Sequence, residues 1–308
     1  MIQKLITACL VLLAGSCQIL PPEVEWEDVR ADYEPRLNIL GILSSDSLVT
    51  SFVRVHRTLR VDEAADTLMR DTVFGGVVPY YASRFVVRDA KVTLNNGTKD
   101  YDLQFKKFDE KNERLQEAYV YNGDDLIIQP GTKWTLSVTE PGGLSASGGT
   151  TVPPLPEIDE TQLPDSFNIN QTMDIIWTAQ PEHYQLVNVS NLLSHYYIYQ
   201  EPDYDNCGFW QKFIATPGET AWNYRREPCD EQRPDKKEEE ENVEDFLLIN
   251  IMSMDTNYYN YILKHGGDQE FASLFLGQGG SGQSFGVVGG MGFFGAIEFD
   301  RHYLPIVR

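Results

Sequence analysis

Gly282-Gln283-Ser284-Phe285-Gly286 sets a serine between glycines at the G-x-S-x-G spacing of a nucleophile elbow, and Asp300 and His302 follow in the order of a hydrolytic triad. An elbow needs a core strand before the serine and a helix after it, so that the hydroxyl stands on a sharp turn beside oxyanion donors. Here glycines precede Ser284 and Val287-Val288-Gly289-Gly290 follow it, while Asp300 and His302 come with no strands or helices between them to fold them back. The context predicts a serine on a loop or hairpin. The competing reading is a surface hydrolase or a glycan-active enzyme that uses this segment. Gly277-Gln278-Gly279-Gly280-Ser281-Gly282 satisfies G-x-G-x-x-G, but a dinucleotide site needs that loop inside a βαβ unit, and none surrounds it. A loop between strands is expected. His56, His183, His195, His265 and His302 are scattered without a zinc-binding spacing, and no carboxylate pair stands out for acid/base work. No metal, cofactor or catalytic residue is assigned.

The cysteines say more. Lys4 opens a positive n-region, Leu5–Leu13 is apolar but too short to span a bilayer, and Leu13-Ala14-Gly15-Ser16 puts small residues ahead of Cys17. A narrow backbone before a thiol is what signal cleavage and lipid transfer both require. Residues 1–16 are therefore expected to leave as a signal peptide, with Cys17 carrying lipid. Gln18, where an aspartate would favour the inner membrane, leans toward the outer one. Residues 17–34, with Pro21, Pro22, Glu23, Glu25, Glu27 and Asp28, read as a flexible tether that lifts a folded body clear of the headgroups. Cys9 departs with the signal. Cys207 and Cys229 remain, and in an oxidising compartment they are expected to form a disulfide that closes a loop of about 20 residues.

The formal net charge is −21, with 46 acidic residues against 25 Lys and Arg. Such a surface repels phosphate backbones and anionic headgroups, so nucleic-acid binding and electrostatic docking on membranes are poor readings. The one unusual concentration is aromatic. Tyr197, Tyr199, Tyr204, Trp210, Trp222 and Tyr224 lie in or beside the Cys207–Cys229 loop. Part of this set is expected to face solvent as a contact surface for a protein or glycan, against the plainer alternative that it covers a small core.

The elements that must carry these residues are strands. Lys133–Thr139 alternates apolar Trp134, Leu136 and Val138 with polar Thr135, Ser137 and Thr139, the pattern of a half-buried strand. Leu37–Leu43, Leu48–Arg57, Arg84–Leu94, Tyr101–Phe105 and Leu144–Val152 read alike, punctuated by turns such as Asn95-Asn96-Gly97 and Pro130-Gly131. Pro153, Pro154, Pro156 and Pro164 then interrupt any ladder and suggest a boundary. Beyond it, Met173–Thr178, Tyr184–Val189, Ser194–Gln200, Phe246–Met254 and Phe293–Phe299 are strands. Residues 230–245 form a solvated charge run, and Thr256–His265 is one short helix capped by Asp255. The expectation is an all-β chain of two immunoglobulin- or fibronectin-like β-sandwich domains, 35–152 and 153–308, behind the lipidated tether.

With the lipobox, Asn38-Ile39-Leu40-Gly41-Ile42-Leu43-Ser44, Val87-Arg88-Asp89-Ala90-Lys91-Val92-Thr93-Leu94, Pro130-Gly131-Thr132-Lys133-Trp134-Thr135-Leu136 and Gly289-Gly290-Met291-Gly292-Phe293-Phe294-Gly295-Ala296 in hand, the chain resembles the lipoproteins grouped as "domain of unknown function" family 4249. The likeness covers most of the mature chain. It implies an outer-membrane lipoprotein with a binding or accessory role, often beside a TonB-dependent transporter. The acidic run and the cysteine loop have no counterpart in the family pattern.

Overall fold

The computed structural model describes residues 34–60, 62–73, 76–106, 117–191, 211–227, 246–264 and 283–307. Alternation builds most of it. In β8 (Lys133–Thr139) Trp134, Leu136 and Val138 are buried while Lys133, Thr135, Ser137 and Thr139 are exposed, so one face enters a core and the other meets water. The same rule shapes β5 (Lys91–Asn95), β6 (Asp100–Lys106) and β9 (Ser145–Thr151), whereas β1 (Leu37–Leu43) and β2 (Phe52–Arg57) are covered on both faces. β3 (Asp66–Val73) and β4 (Gly76–Ser83) form a hairpin, and β7 (Ala118–Val120) is a three-residue strand. After the proline segment come β10 (Phe167–Asn168), β11 (Thr172–Ile176), β12 (Tyr184–Asn191), β13 (Gln211–Ala215), β14 (Ala221–Arg225) and β15 (Phe246–Met254). β16 (Ser284–Phe285), β17 (Val287–Val288) and the 17-residue β18 (Met291–Val307) complete the set.

One large mixed sheet runs in the order β13-β12-β15-β18-β1-β2-β7-β6-β5-β8-β9-β17. β18 is its spine. The first part of β18 lies parallel to β1, Asn38 opposite Met291 through Leu43 opposite Ala296. The second part lies antiparallel to β15, Met254 opposite Ile297 through Phe246 opposite Pro305. β11 and β14 form a separate two-stranded sheet, and β3 with β4 another.

Two cores share one face of β18. Phe294 and Ala296 belong to the first, with Trp134, Tyr119, Val92, Leu94 and Val53. Leu304, and Ile306 at its margin, belong to the second, with Ile249, Ile251, Val187, Tyr224 and Phe167. Alternation along a strand puts residues 294 through 306 at even positions on one side, so Glu298, Asp300 and His302 occupy the interval between the cores. That interval is polar across the sheet. Gln185, Ser253 and Glu298 stand opposite one another on β12, β15 and β18, all buried. Ser253 Oγ donates to Gln180 Oε1 (2.5 Å), Gln180 Nε2 to Pro154 O (3.1 Å) and Trp177 Nε1 to Gln185 Oε1 (2.9 Å). Glu298 accepts from the Ser45 amide (2.8 Å) and hydroxyl (2.5 Å). Burial raises the Glu298 carboxyl above its usual range, opposed by those two bonds.

On the opposite face, Phe293 and Ile297 pack with Leu40, Met252, Met254, Tyr258 and Tyr261. The last two belong to α1 (Thr256–Tyr258) and the π-helical turn Tyr259–Lys264 that continues it. This element stands where one helix, Thr256–His265, was expected, and the expected Asp255 cap is present. Only three of its residues are α-helical, and His265 lies outside the described residues.

The alternating strands recur close to their sequence limits, while two expected strands are shorter. Leu48 sits in a turn made by the Val49 amide on Asp46 O (2.9 Å), so β2 begins at Phe52. Residues 84–90 lie between β4 and β5 and are held by their own contacts, including the Val87 amide on Val55 O (2.9 Å). At the proline segment Val152 belongs to the first core and Ile158 to the second. The first core nonetheless takes Val287, Phe294 and Ala296 from the far end of the chain. Ser194–Gln200 and the charge run 230–245 lie outside the described residues.

Candidate functional site

The glycine-flanked serine is part of a closure. Ser284 and Phe285 pair in parallel with Gly292 and Phe293 of β18, and Val287 and Val288 pair antiparallel with Gly148 and Ser147 of β9. One short segment thus carries the free edge of β9 back to β18, and the strands from β18 round to β9 become a ring about the first core. The Gly149 amide donates to Gly286 O (2.8 Å) and the Gly292 amide to Gln283 O (3.0 Å). Gly286, between the two pairings, has φ +68°, and a Cβ there would stand 2.2 Å from Asn257 Nδ2 and 2.7 Å from Phe294 O. The second glycine of the motif is therefore a packing requirement.

This geometry separates the triad-like residues. Ser284 lies opposite Gly292, and His302 is ten residues further along β18, about 33 Å at strand rise. The Ser284 hydroxyl donates to Gly290 O (2.8 Å). Asp300 Oδ2 accepts from the Ile158 amide (2.8 Å), and His302 Nδ1 faces Glu160 Oε1 at 3.2 Å.

The closure is pinned from the α1 side. Asp255 Oδ1 accepts from the Tyr258 amide (2.8 Å), capping the turn, and Oδ2 accepts from the Thr150 hydroxyl of β9. Asn257 Nδ2 donates to Gly149 O (3.0 Å) and Phe294 O (2.9 Å), tying β9 to β18. Gly295 lets this turn approach, since a Cβ there would lie 2.8 Å from Asp255 Oδ1. Burial pushes the Asp255 carboxyl up to about 6 although its hydrogen bonds oppose the shift.

Beside this knot is a cleft of about 430 Å³, lined by Lys133, Thr135, Thr151, His183, Asp255 and Asn257 among others. Lys133, Thr135 and Thr151 are the outward positions of β8 and β9 that alternation requires. His183 Nδ1 is buried with no hydrogen-bond partner. The cleft offers the Lys133 ammonium and the Thr135 and Thr151 hydroxyls, while both Asp255 oxygens are engaged. Sequence reasoning singled out His183 only as one of five scattered histidines, because its neighbours in the cleft come from residues 133–151 and 255–257.

Of the expected contact residues, Tyr224 is corrected. It is fully buried, with its ring against Phe167 (5.4 Å) and Trp222 (5.3 Å), and burial raises its phenol. β14 lies over the second core, and alternation turns Tyr224 inward. Trp222 is half-buried and stacks on Phe213, centroids 5.6 Å apart and planes 10° apart. Tyr197, Tyr199, Tyr204, Trp210, the Cys207–Cys229 pair, Cys17 and the G-x-G-x-x-G stretch lie outside the described residues.

Fold and site define an all-β protein built on one large mixed sheet, with a cleft where the ring about its first core is closed. The chain belongs to the family described as Domain of unknown function (DUF4249), whose family model matches residues 23–298. No curated protein and no solved structure matches the chain.

Proposed function

We propose that this is a lipid-anchored protein of the cell envelope, held to the outer membrane through Cys17, with a non-enzymatic binding or accessory role beside a TonB-dependent transporter. The observation that carries the reading is the apolar run and small residues before Cys17, followed by a proline- and acid-rich spacer. The larger of the chain's two compact units begins at Pro35. The family pattern supports the outer-membrane location and the transporter as partner. The exposed Lys133, Thr135 and Thr151 side chains along the cleft beside Asp255 support binding. The engaged Ser284 hydroxyl and its distance from His302 weigh against the hydrolase reading.

Two finer features belong to the same reading. The chain forms two sandwich-like lobes joined by β18, each about one of the two cores. Cys207 and Cys229 form a disulfide in the oxidising compartment that the anchor implies. What supports the pairing is that Gln211 Nε2 donates to Arg225 O (2.7 Å), so the chain is drawn together just inside both cysteines. The Tyr197, Tyr199, Tyr204 and Trp210 side chains around that loop supply a contact surface for an envelope protein.

Fractionation tests the anchor. Cys17→Ser is expected to move the protein from the membrane pellet to the soluble fraction. Retention of Cys17→Ser in membranes through carbonate and high-salt washes would sink the proposal.

A further inference from the structure

The β3–β4 hairpin is a ribbon of two eight-residue strands that no other described strand joins. It is fixed at its base by the Arg84 amide on Ala65 O (2.8 Å). A lone two-stranded ribbon is marginal in water, and its open edges are templates for further pairing. The two edges differ. Pro79 of β4 stands opposite Arg70 of β3. A proline within a ladder turns its donorless nitrogen to the open side, so β4 lacks a donor along its free edge. At that pair the backbone groups point away from each other, and by the two-residue period Asp66, Leu68 and Arg70 direct their N–H and C=O groups to the free edge of β3.

These same three residues are exposed, Leu68 at 57%, while Thr67 and Met69 between them are half-buried. The order acid, apolar, base at alternate positions is self-complementary under a two-fold axis. An antiparallel partner of the same sequence centred on Leu68 puts Leu68 opposite Leu68, Asp66 opposite Arg70 and Arg70 opposite Asp66. We infer that a second copy of this chain pairs with the first along β3 in this register, making a four-stranded antiparallel sheet from two hairpins. Two opposite-charge pairs and one apolar pair then lie on one face of the new ladder, and the contact is isologous, as a closed dimer requires.

Sedimentation equilibrium of the full mature protein in density-matched detergent tests it. The native protein is expected at twice the chain mass. Asp66→Arg and Arg70→Asp, which each set like charges across the axis, are expected to weaken the dimer by about tenfold or more. The exchange Asp66→Arg with Arg70→Asp restores the opposite pairs and is expected to recover it. Both positions are exposed, and an unchanged circular dichroism spectrum confirms that each variant folds. A native monomer, a dimer indifferent to the single reversals, or a double exchange no better than the single variants would each overturn the inference.

Discussion

Two buried ionisable side chains give this protein opposed acid responses. Burial, helped by the Arg54 and Arg88 charges, pushes His56 down to about 4, whereas burial pushes Asp255 up to about 6. The folded state holds His56 neutral, so the stability this contributes is present above about 6.5 and is lost as pH falls toward 4. Asp255 works the other way. Its folded form prefers the proton, so stability is greatest below its ordinary value near 3.8 and falls as pH rises through 6. Each shift is worth about 3 kcal/mol, and over the same window the two slopes largely offset. Asp255→Asn keeps an acceptor for the Tyr258 amide and a partner for Thr150, but removes the titration. We expect urea midpoints of the native protein to change little between pH 6.5 and 4, and those of Asp255→Asn to fall steeply over that range. Parallel profiles would contradict the assignment.

The elements show why two glycines of similar backbone are not equivalent. Gly97 has φ +91° and a Cβ there would meet nothing within 4 Å, whereas Gly292 has φ +94° and a Cβ would lie 2.0 Å from Ile39 O. Gly97→Ala is expected to cost about 1–2 kcal/mol of left-handed strain. Gly292→Ala must also part β18 from β1, and we expect a loss above about 4 kcal/mol or failure to fold. Urea unfolding of both variants distinguishes the cases, and equal losses would show that the close approach to Ile39 is unimportant. Half-buried strands such as Lys133–Thr139 and Tyr101–Phe105 were legible because alternation is a local signal. The β3–β4 hairpin was not, since Asp66, Arg70 and Asp71 break any apolar period. Nor was the closure by residues 284–288, because its partners on β9 and β18 are chosen by long-range register, which leaves no local pattern. β14 (Ala221–Arg225) was not among the expected strands, so no period assigned Tyr224 to an inward face, which is why it was misplaced.

At the scale of the molecule, the all-β class was legible in the sequence. The route by which β18 serves both cores was not, because a 17-residue strand whose even positions pass from apolar Phe294 and Ala296 through Glu298, Asp300 and His302 to Leu304 mimics two shorter elements. The polar interval becomes intelligible only with Gln185 and Ser253 set beside Glu298. The cleft at His183 was hidden for the same reason, as three distant segments meet there. The anchor is the reverse case. It rests wholly on a local motif, since signal cleavage and lipid transfer act on an extended chain before any fold exists. Mass spectrometry of the protein extracted from membranes tests it most directly, through the tryptic peptide that ends at Arg30. The account predicts that this peptide begins at Cys17 and carries the mass of a lipid modification on that residue. An N-terminal peptide that begins elsewhere, or one that contains Cys17 unmodified, would contradict it.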